Sequence, residues 1–147
     1  MLIYENGRFS LGNVSFKLPE EICIDTNSDE LCGQGFHLYA PDKSFSIQID
    51  FKESSNTALR EIEHNFDGQF SYRLIGEIEP FSVGGLNGYK AYYENEKTYN
   101  EEYAFELTGC GGCTILDIYL MIWKGTGYDE TYKNRILSEL LAGIKRK

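Results

Sequence analysis

Two cysteines spaced Cys110-Gly-Gly-Cys113 are the residues whose type and spacing most suggest chemistry. A C-x-x-C pair serves thiol–disulfide exchange when it opens a helix, where the dipole lowers a thiol pKa, and serves zinc when two further ligands converge on it. Here Gly111-Gly112 predicts a two-residue turn, with Cys110 opposite Cys113 and the flanking strands paired outward from them. Leu107 then meets Leu116, Phe105 meets Ile118, and Tyr103 meets Leu120. Every pair on that face is apolar, and a one-residue slip would destroy the match. The cysteines fall on the opposite face, where no helix dipole acts and Glu106 and Asp117 raise a thiol pKa. Opposed positions about 5.5 Å apart allow a disulfide between Cys110 and Cys113, although one closing so short a loop stabilises little. For zinc the available partners are Cys23, Cys32, His37 and His64, and Cys23 and Cys32 do not have a knuckle spacing. The expectation is two free thiols beside a turn. Thiol redox or metal binding at Cys110 and Cys113 is the alternative function.

The same pairing sets Glu106 opposite Asp117, with Glu102 nearby on that face. Like charges directly opposed cost stability. They are expected to lie on an open, solvated sheet face, either as a plain charged surface or as an acidic patch for a basic partner. Glu94, Glu96 and Glu101 would join that patch. Acid–base catalysis needs a cleft and a raised pKa, and an open face supplies neither. The run Gly84-Gly85-Leu86-Asn87-Gly88 lacks the lysine and the strand-to-helix context of a phosphate loop, so Asn87-Gly88 reads as a tight turn. His37 and His64 have no nucleophile at a recognisable spacing. No catalytic, cofactor-binding or metal-ligating residue is assigned, no cofactor is expected, and the chain reads as a non-enzyme.

The elements that position these residues follow from hydrophobic periodicity. Asn6-Gly7 predicts a hairpin pairing Tyr4 with Phe9 and Leu2 with Leu11. Val14, Phe16 and Leu18 alternate as a strand stopped by Pro19, and Ile22 to Ile24 adds a short extension before a polar loop over Asp25 to Glu30. Phe36 and Leu38, then Phe45, Ile47, Ile49 and Phe51, alternate on two further strands. A helix follows Ser54-Ser55-Asn56, with Leu59, Ile62 and Phe66 on one side and Asp67-Gly68 as its stop. Strands recur from Tyr72 to Val83, from Tyr89 to Tyr93 and from Glu102 to Thr108. Cys113 to Trp123 is apolar on both faces, which predicts a central strand shielded on two sides. A last helix begins near Asp129 with Tyr132, Ile136, Leu140 and Ile144 as its stripe, and Lys145-Arg146-Lys147 suit its dipole.

Strand runs with two separated helices indicate an α+β fold: a curved antiparallel sheet, one helix between the N-terminal and C-terminal strand groups, and an amphipathic C-terminal helix. The 147 residues read as a single domain, long enough to bury a core without staples. Hydrophobic residues at 41% and aromatics at 14% argue against disorder. A net charge of -9 repels phosphate backbones and anionic lipid, so nucleic-acid and membrane-surface binding are not expected and a basic protein partner is. No run approaches the ~20 apolar residues of a membrane span, and the first residues lack a signal-peptide pattern, so a soluble cytoplasmic protein is expected.

The order of elements resembles the Mog1/PsbP-like superfamily. The resemblance rests on the strand Val14-Ser-Phe-Lys-Leu-Pro-Glu-Glu20, the helix Ala58-Leu-Arg-Glu-Ile-Glu-His-Asn65 and the junction Gly85-Leu-Asn-Gly-Tyr89. It continues through the apolar strand Leu116 to Ile122 and the helix Ile136-Leu-Ser-Glu-Leu-Leu141. It covers nearly the whole chain and implies a curved antiparallel sheet sandwiched between helices. Mog1-type members engage a small GTPase and PsbP-type members dock on a photosynthetic membrane complex, so the resemblance implies a binding module and transfers no site residue. The expected function is a non-enzymatic protein-binding or adaptor module, with small-ligand binding between sheet and helix as a further alternative.

Overall fold

The computed structural model describes residues 3–25, 35–64, 71–110 and 112–146. In chain order its elements are β1 (Ile3–Glu5), β2 (Arg8–Leu11), β3 (Val14–Lys17), β4 (Cys23–Asp25), β5 (Gly35–Tyr39), β6 (Phe45–Lys52), α1 (Ala58–Glu63), β7 (Arg73–Val83), β8 (Leu86–Glu94), β9 (Thr98–Cys110), β10 (Cys113–Trp123), α2 (Glu130–Ala142) and β11 (Lys145–Arg146). The class is α+β. Seven strands form one antiparallel sheet in the order β4-β5-β6-β10-β9-β8-β7, and β1-β2-β3-β11 form a smaller one.

Local chemistry explains most of these elements. Asn6 and Gly7 both take positive φ, at 52° and 73°, as a hairpin turn between right-twisted strands requires. Tyr4 accordingly pairs with Phe9; the expected pairing of Leu2 lies outside the described residues. β6 alternates buried and half-buried along its whole length, the signature of a strand with one face on a core. Thr57 caps α1 by accepting the Arg60 N–H at 3.2 Å, and Asp129 caps α2 by accepting the Tyr132 N–H at 3.0 Å. Asp25 of the expected polar loop ends β4, and the rest of that loop, Phe66 and the Asp67-Gly68 stop lie outside the described residues.

The main core lies between the large sheet and a layer made of the small sheet and α2. Phe9 and Phe16 from the small sheet, Ile136 and Leu140 from α2, and Ile47, Ile49, Leu116, Ile118 and Leu120 from the large sheet all bury there. Lys133 of α2 is buried with them and pairs with Glu101 of β9 at 2.7 Å, which ties the helix to the sheet. β10 is central, with β6 on one side and β9 on the other. It is buried on both faces only from Ile115 to Ile118; Tyr119 and Met121 are half-buried and Trp123 is exposed, so the two-sided shielding expected for the whole strand stops short of its end.

Three local expectations are corrected. The turn between β7 and β8 is Gly84-Gly85, and Asn87 and Gly88 lie within β8. Gly88 is needed for space: a Cβ there would stand 1.9 Å from the Ala104 carbonyl oxygen of the adjacent strand. Second, α2 ends at Ala142, and Lys145-Arg146 continue as a strand beside β3 instead of neutralising a helix end. Lys147 is outside the described residues.

The third correction concerns the β9–β10 register. Cys110 does pair with Cys113, but three residues of β9, Leu107 to Gly109, then face the single residue Thr114. Gly109, at φ 73°, supplies a backbone conformation that absorbs the excess. Beyond this bulge Leu116 pairs with Phe105, Ile118 with Tyr103, and Asp117 with Ala104. A shift of two preserves which face each residue occupies, so the apolar match survives with different partners.

Candidate functional site

The second face of the large sheet carries the unusual chemistry. α1 lies over β8 and β9 there, burying Ala58 and Ile62 against Ala91, Tyr93, Ala104 and Ile115. Its first turn is pinned by Glu106, whose Oε1 accepts the Ala58 N–H at 2.8 Å. A second anchor runs through the loop before it, where Thr114 Oγ1 accepts the Ser54 N–H at 3.0 Å and donates to the Ser54 carbonyl at 2.7 Å.

This cover removes the open acidic face expected from the sequence. Of the three carboxylates proposed for it, only Glu106 is exposed; Glu102 retains 1% of its accessible surface and Asp117 retains 6%. Glu101 points to the opposite face and Lys133, while Glu94 is paired with Arg73 and with Lys124. The carboxylates are therefore dispersed between a buried pair, a helix anchor and separate ion pairs.

The buried pair has a defined polar setting. Tyr93, itself fully buried, donates its hydroxyl to Glu102 Oε1 at 3.1 Å. Lys52 Nζ donates to Asp117 Oδ2 at 3.0 Å and stands 3.8 Å from Glu61 of α1. The Glu102 and Asp117 carboxyls are in hydrogen-bond reach of each other. Burial, and next the Asp117 charge, push the Glu102 pKa well above the usual carboxylate range. Burial pulls Lys52 down, but the Asp117, Glu61 and Asp50 carboxylates outweigh it and leave its pKa raised. Asp50, directly across from Asp117 on β6, is raised chiefly by burial.

A tyrosine array extends this network. Tyr119 donates to Asn100 Oδ1 at 2.8 Å, and its hydroxyl lies 3.4 Å from that of Tyr72. Tyr72 also stands edge-on to Tyr93 with ring centroids 5.0 Å apart. Burial holds the Tyr93 and Tyr119 hydroxyls protonated far above the usual phenol range.

The thiols sit elsewhere. The bulge turns Cys110 and Cys113 onto the main core, not the opposite face. Both are free, and Cys110 Sγ bonds Asn13 Oδ1 at 3.2 Å where the β2–β3 turn meets the hairpin tip. Burial, the neighbouring Cys110 and Glu53 raise the Cys113 pKa, the reverse of what an activated thiol requires. Cys23 is on β4, His37 on β5 and His64 at the end of α1, while Cys32 lies outside the described residues. Among the described residues no three His, Cys, Asp or Glu side chains cluster as a metal site.

A second feature of the same face has a weaker signal in the sequence. Pairing of β5 with β6 and of β6 with β10 aligns Tyr39, Ser46 and Met121 across three strands, with His37 and Trp123 beside them. Together with Lys43 and Phe45 they line an open concavity of about 440 Å³. Trp123, the chain's single tryptophan, is 47% exposed there. The alternation of Tyr119, Met121 and Trp123 away from Leu120 and Ile122 is the signal that sequence reasoning missed. None of the described helices is long and apolar enough to cross a membrane.

No family model matches the chain, and no curated protein is detectably similar in sequence. Among solved structures, a protein of Bacteroides thetaiotaomicron VPI-5482 superposes with a TM-score of 0.49 at 16% identity, over 96% of this chain. The chain spans 48% of that protein's length. LpqN, involved in cell envelope biogenesis of Mycobacterium tuberculosis, superposes with a TM-score of 0.65 at 9% identity, over 99% of this chain and 88% of its own. The similarity to LpqN is one of fold.

Proposed function

We propose that the chain is a non-enzymatic protein-binding module of the Mog1/PsbP-like kind that receives a basic partner on the half of the sheet beside α1. One observation carries this: an exposed tryptophan, with Met121 and Tyr39, lines an open concavity on the sheet face. Trp, Tyr and Met are the residues enriched in interface cores, where a few aromatic anchors supply most of the affinity. Partner charge is argued from the chain's net charge of -9 and from exposed Asp42 and Glu96, in the turns preceding Phe45 and Thr98. Asp42 is held ionised by its hydrogen bonds from Ser44. Free thiols at Cys23, Cys110 and Cys113 fit a reducing, cytoplasmic setting.

The test uses Trp123 itself. Partners are captured by cross-linking, purified, and titrated against the chain while tryptophan emission is followed. The expected result is a blue shift on binding, an affinity that falls with salt, and at least about tenfold weaker binding by Trp123→Ala. Equal binding by wild type and Trp123→Ala would sink the proposal. So would a blue shift that tracks the chain's own concentration, which would assign the surface to a second copy.

A further inference from the structure

Asp117 offers two carboxylate oxygens, and only one has an ordinary donor. Oδ2 takes the Lys52 ammonium at 3.0 Å, whereas Oδ1 is closed off from solvent and receives no N–H or O–H from the described residues. Buried carboxylate oxygens are almost always satisfied, so an orphan requires an explanation. The group in reach is the carboxyl of Glu102. Two ionised carboxylates cannot bond one another, but an acid and a carboxylate can. We infer that Glu102 and Asp117 form a proton-binding site in which Glu102 carries the proton and donates it to Asp117 Oδ1, and that this proton keeps α1 seated on the sheet.

The surrounding groups are already committed when the proton leaves. From β8, Tyr93 donates to Glu102 Oε1. β6 contributes Lys52 and Asp50, and α1 contributes Glu61. Tyr119 from β10 and Tyr72 ahead of β7 are bonded to Asn100 and to each other. Glu106, on the same strand as Glu102, is bound to the Ala58 N–H. Lys52 is the cation of this set, and Asp117 and Glu61 already share it.

Ionising Glu102 therefore adds a second negative charge beside Asp117, where the nearby Lys52 is already shared by Asp117 and Glu61, and water is drawn in. The element in the way is α1, six residues long and seated mainly by Ala58 and Ile62. It can lift while the main core on the other face stays packed, as short elements with few buried contacts open locally. The structure thus couples proton release to exposure of the small apolar cluster under α1. This coupling does not depend on a basic partner at Trp123.

Amide hydrogen exchange of Ala58, Glu61 and His64, measured from about pH 5 to about pH 9 and corrected for intrinsic base catalysis, tests the inference. In the wild type their protection should fall at least tenfold as pH rises, while that of Ile118 in the main core holds. Glu102→Gln, whose amide donates to Asp117 at every pH, should keep α1 protection constant. A flat wild-type profile overturns the inference, and so does Glu102→Gln tracking a falling one. The wild-type profile decides alone if the variant does not fold.

Discussion

Glu102 on β9 and Asp117 on β10 stand diagonally across adjacent strands, Glu102 facing Tyr119 and Asp117 facing Ala104, with their carboxyl groups in hydrogen-bond reach beneath α1. Two like-charged side chains in that position would be expelled from a fold unless one were neutral or both were compensated. Lys52 compensates one of them.

Global stability should therefore fall as pH rises. The folded pKa of Glu102 lies above its unfolded value, so its contribution is complete below the ordinary glutamate range and is lost as pH climbs through the raised value. Over that window the loss has a limiting slope of about 1.4 kcal/mol per pH unit. Urea denaturation at mildly acidic and alkaline pH should show wild type losing stability relative to Glu102→Gln. An equal response of the two proteins would contradict the assignment.

An opposite dependence is expected at the acid end. Glu61 is raised by burial but lowered more by hydrogen bonds from Ser54 and Asn56 and by Lys52, leaving a depressed pKa. Its contribution is present above the ordinary glutamate range and is lost as pH falls through the depressed value. Glu61→Gln should flatten the acid limb of the stability profile and leave the alkaline limb unchanged, as read by thermal melts across pH.

Removing Lys52 should cost more than removing the pair. Lys52→Met leaves Asp117 Oδ2 buried without its cation and is expected to destabilise by about 2–3 kcal/mol. Adding Asp117→Asn removes the stranded charge, so the double variant should be more stable than Lys52→Met alone. A double-mutant cycle by chemical denaturation measures this, and simple additivity would argue against a direct pair.

Gly88 offers a steric test of the corrected β8 assignment. Its Cβ would collide with the Ala104 carbonyl, whereas one at Gly127 would meet nothing within 4 Å. Gly88→Ala should cost at least about 3 kcal/mol or prevent folding, while Gly127→Ala should stay within about 0.5 kcal/mol. A turn at Asn87-Gly88 would instead have left Gly88→Ala free of any such collision.

The thiols should react unequally. Cys110 retains 1% of its surface and is bonded to Asn13, while Cys113 is half-buried with a raised pKa. Alkylation should modify Cys113 first and accelerate well above neutral pH. Asn13→Ala should raise the Cys110 rate; labelling of Cys110 first would contradict the placement.

Much of this fold was legible because its signals are local. The Asn6-Gly7 turn, the alternation from Phe45 to Phe51, the Asp129 cap and the two-sided apolar pattern of β10 each depend on neighbours in sequence. What was missed depends on distance. The bulge at Leu107 to Gly109 arises where Gly12 and Asn13 of the small sheet pack on the hairpin tip, leaving no space for a Cβ at Gly12, which would lie 2.4 Å from the Gly109 carbonyl oxygen. The burial of Glu102 depends on α1 crossing from elsewhere in the chain. A clue was nevertheless present. A strand apolar on both faces must be covered on both, and that already placed Asp117 beneath something.

The most direct test is the carboxyl carbon-13 shift of Glu102, followed by NMR as pH is varied. A titration displaced well above the ordinary glutamate range and moved downward by Asp117→Asn is the expected result. A Glu102 carboxyl that ionises together with the exposed glutamates, and is indifferent to Asp117→Asn, would contradict the account.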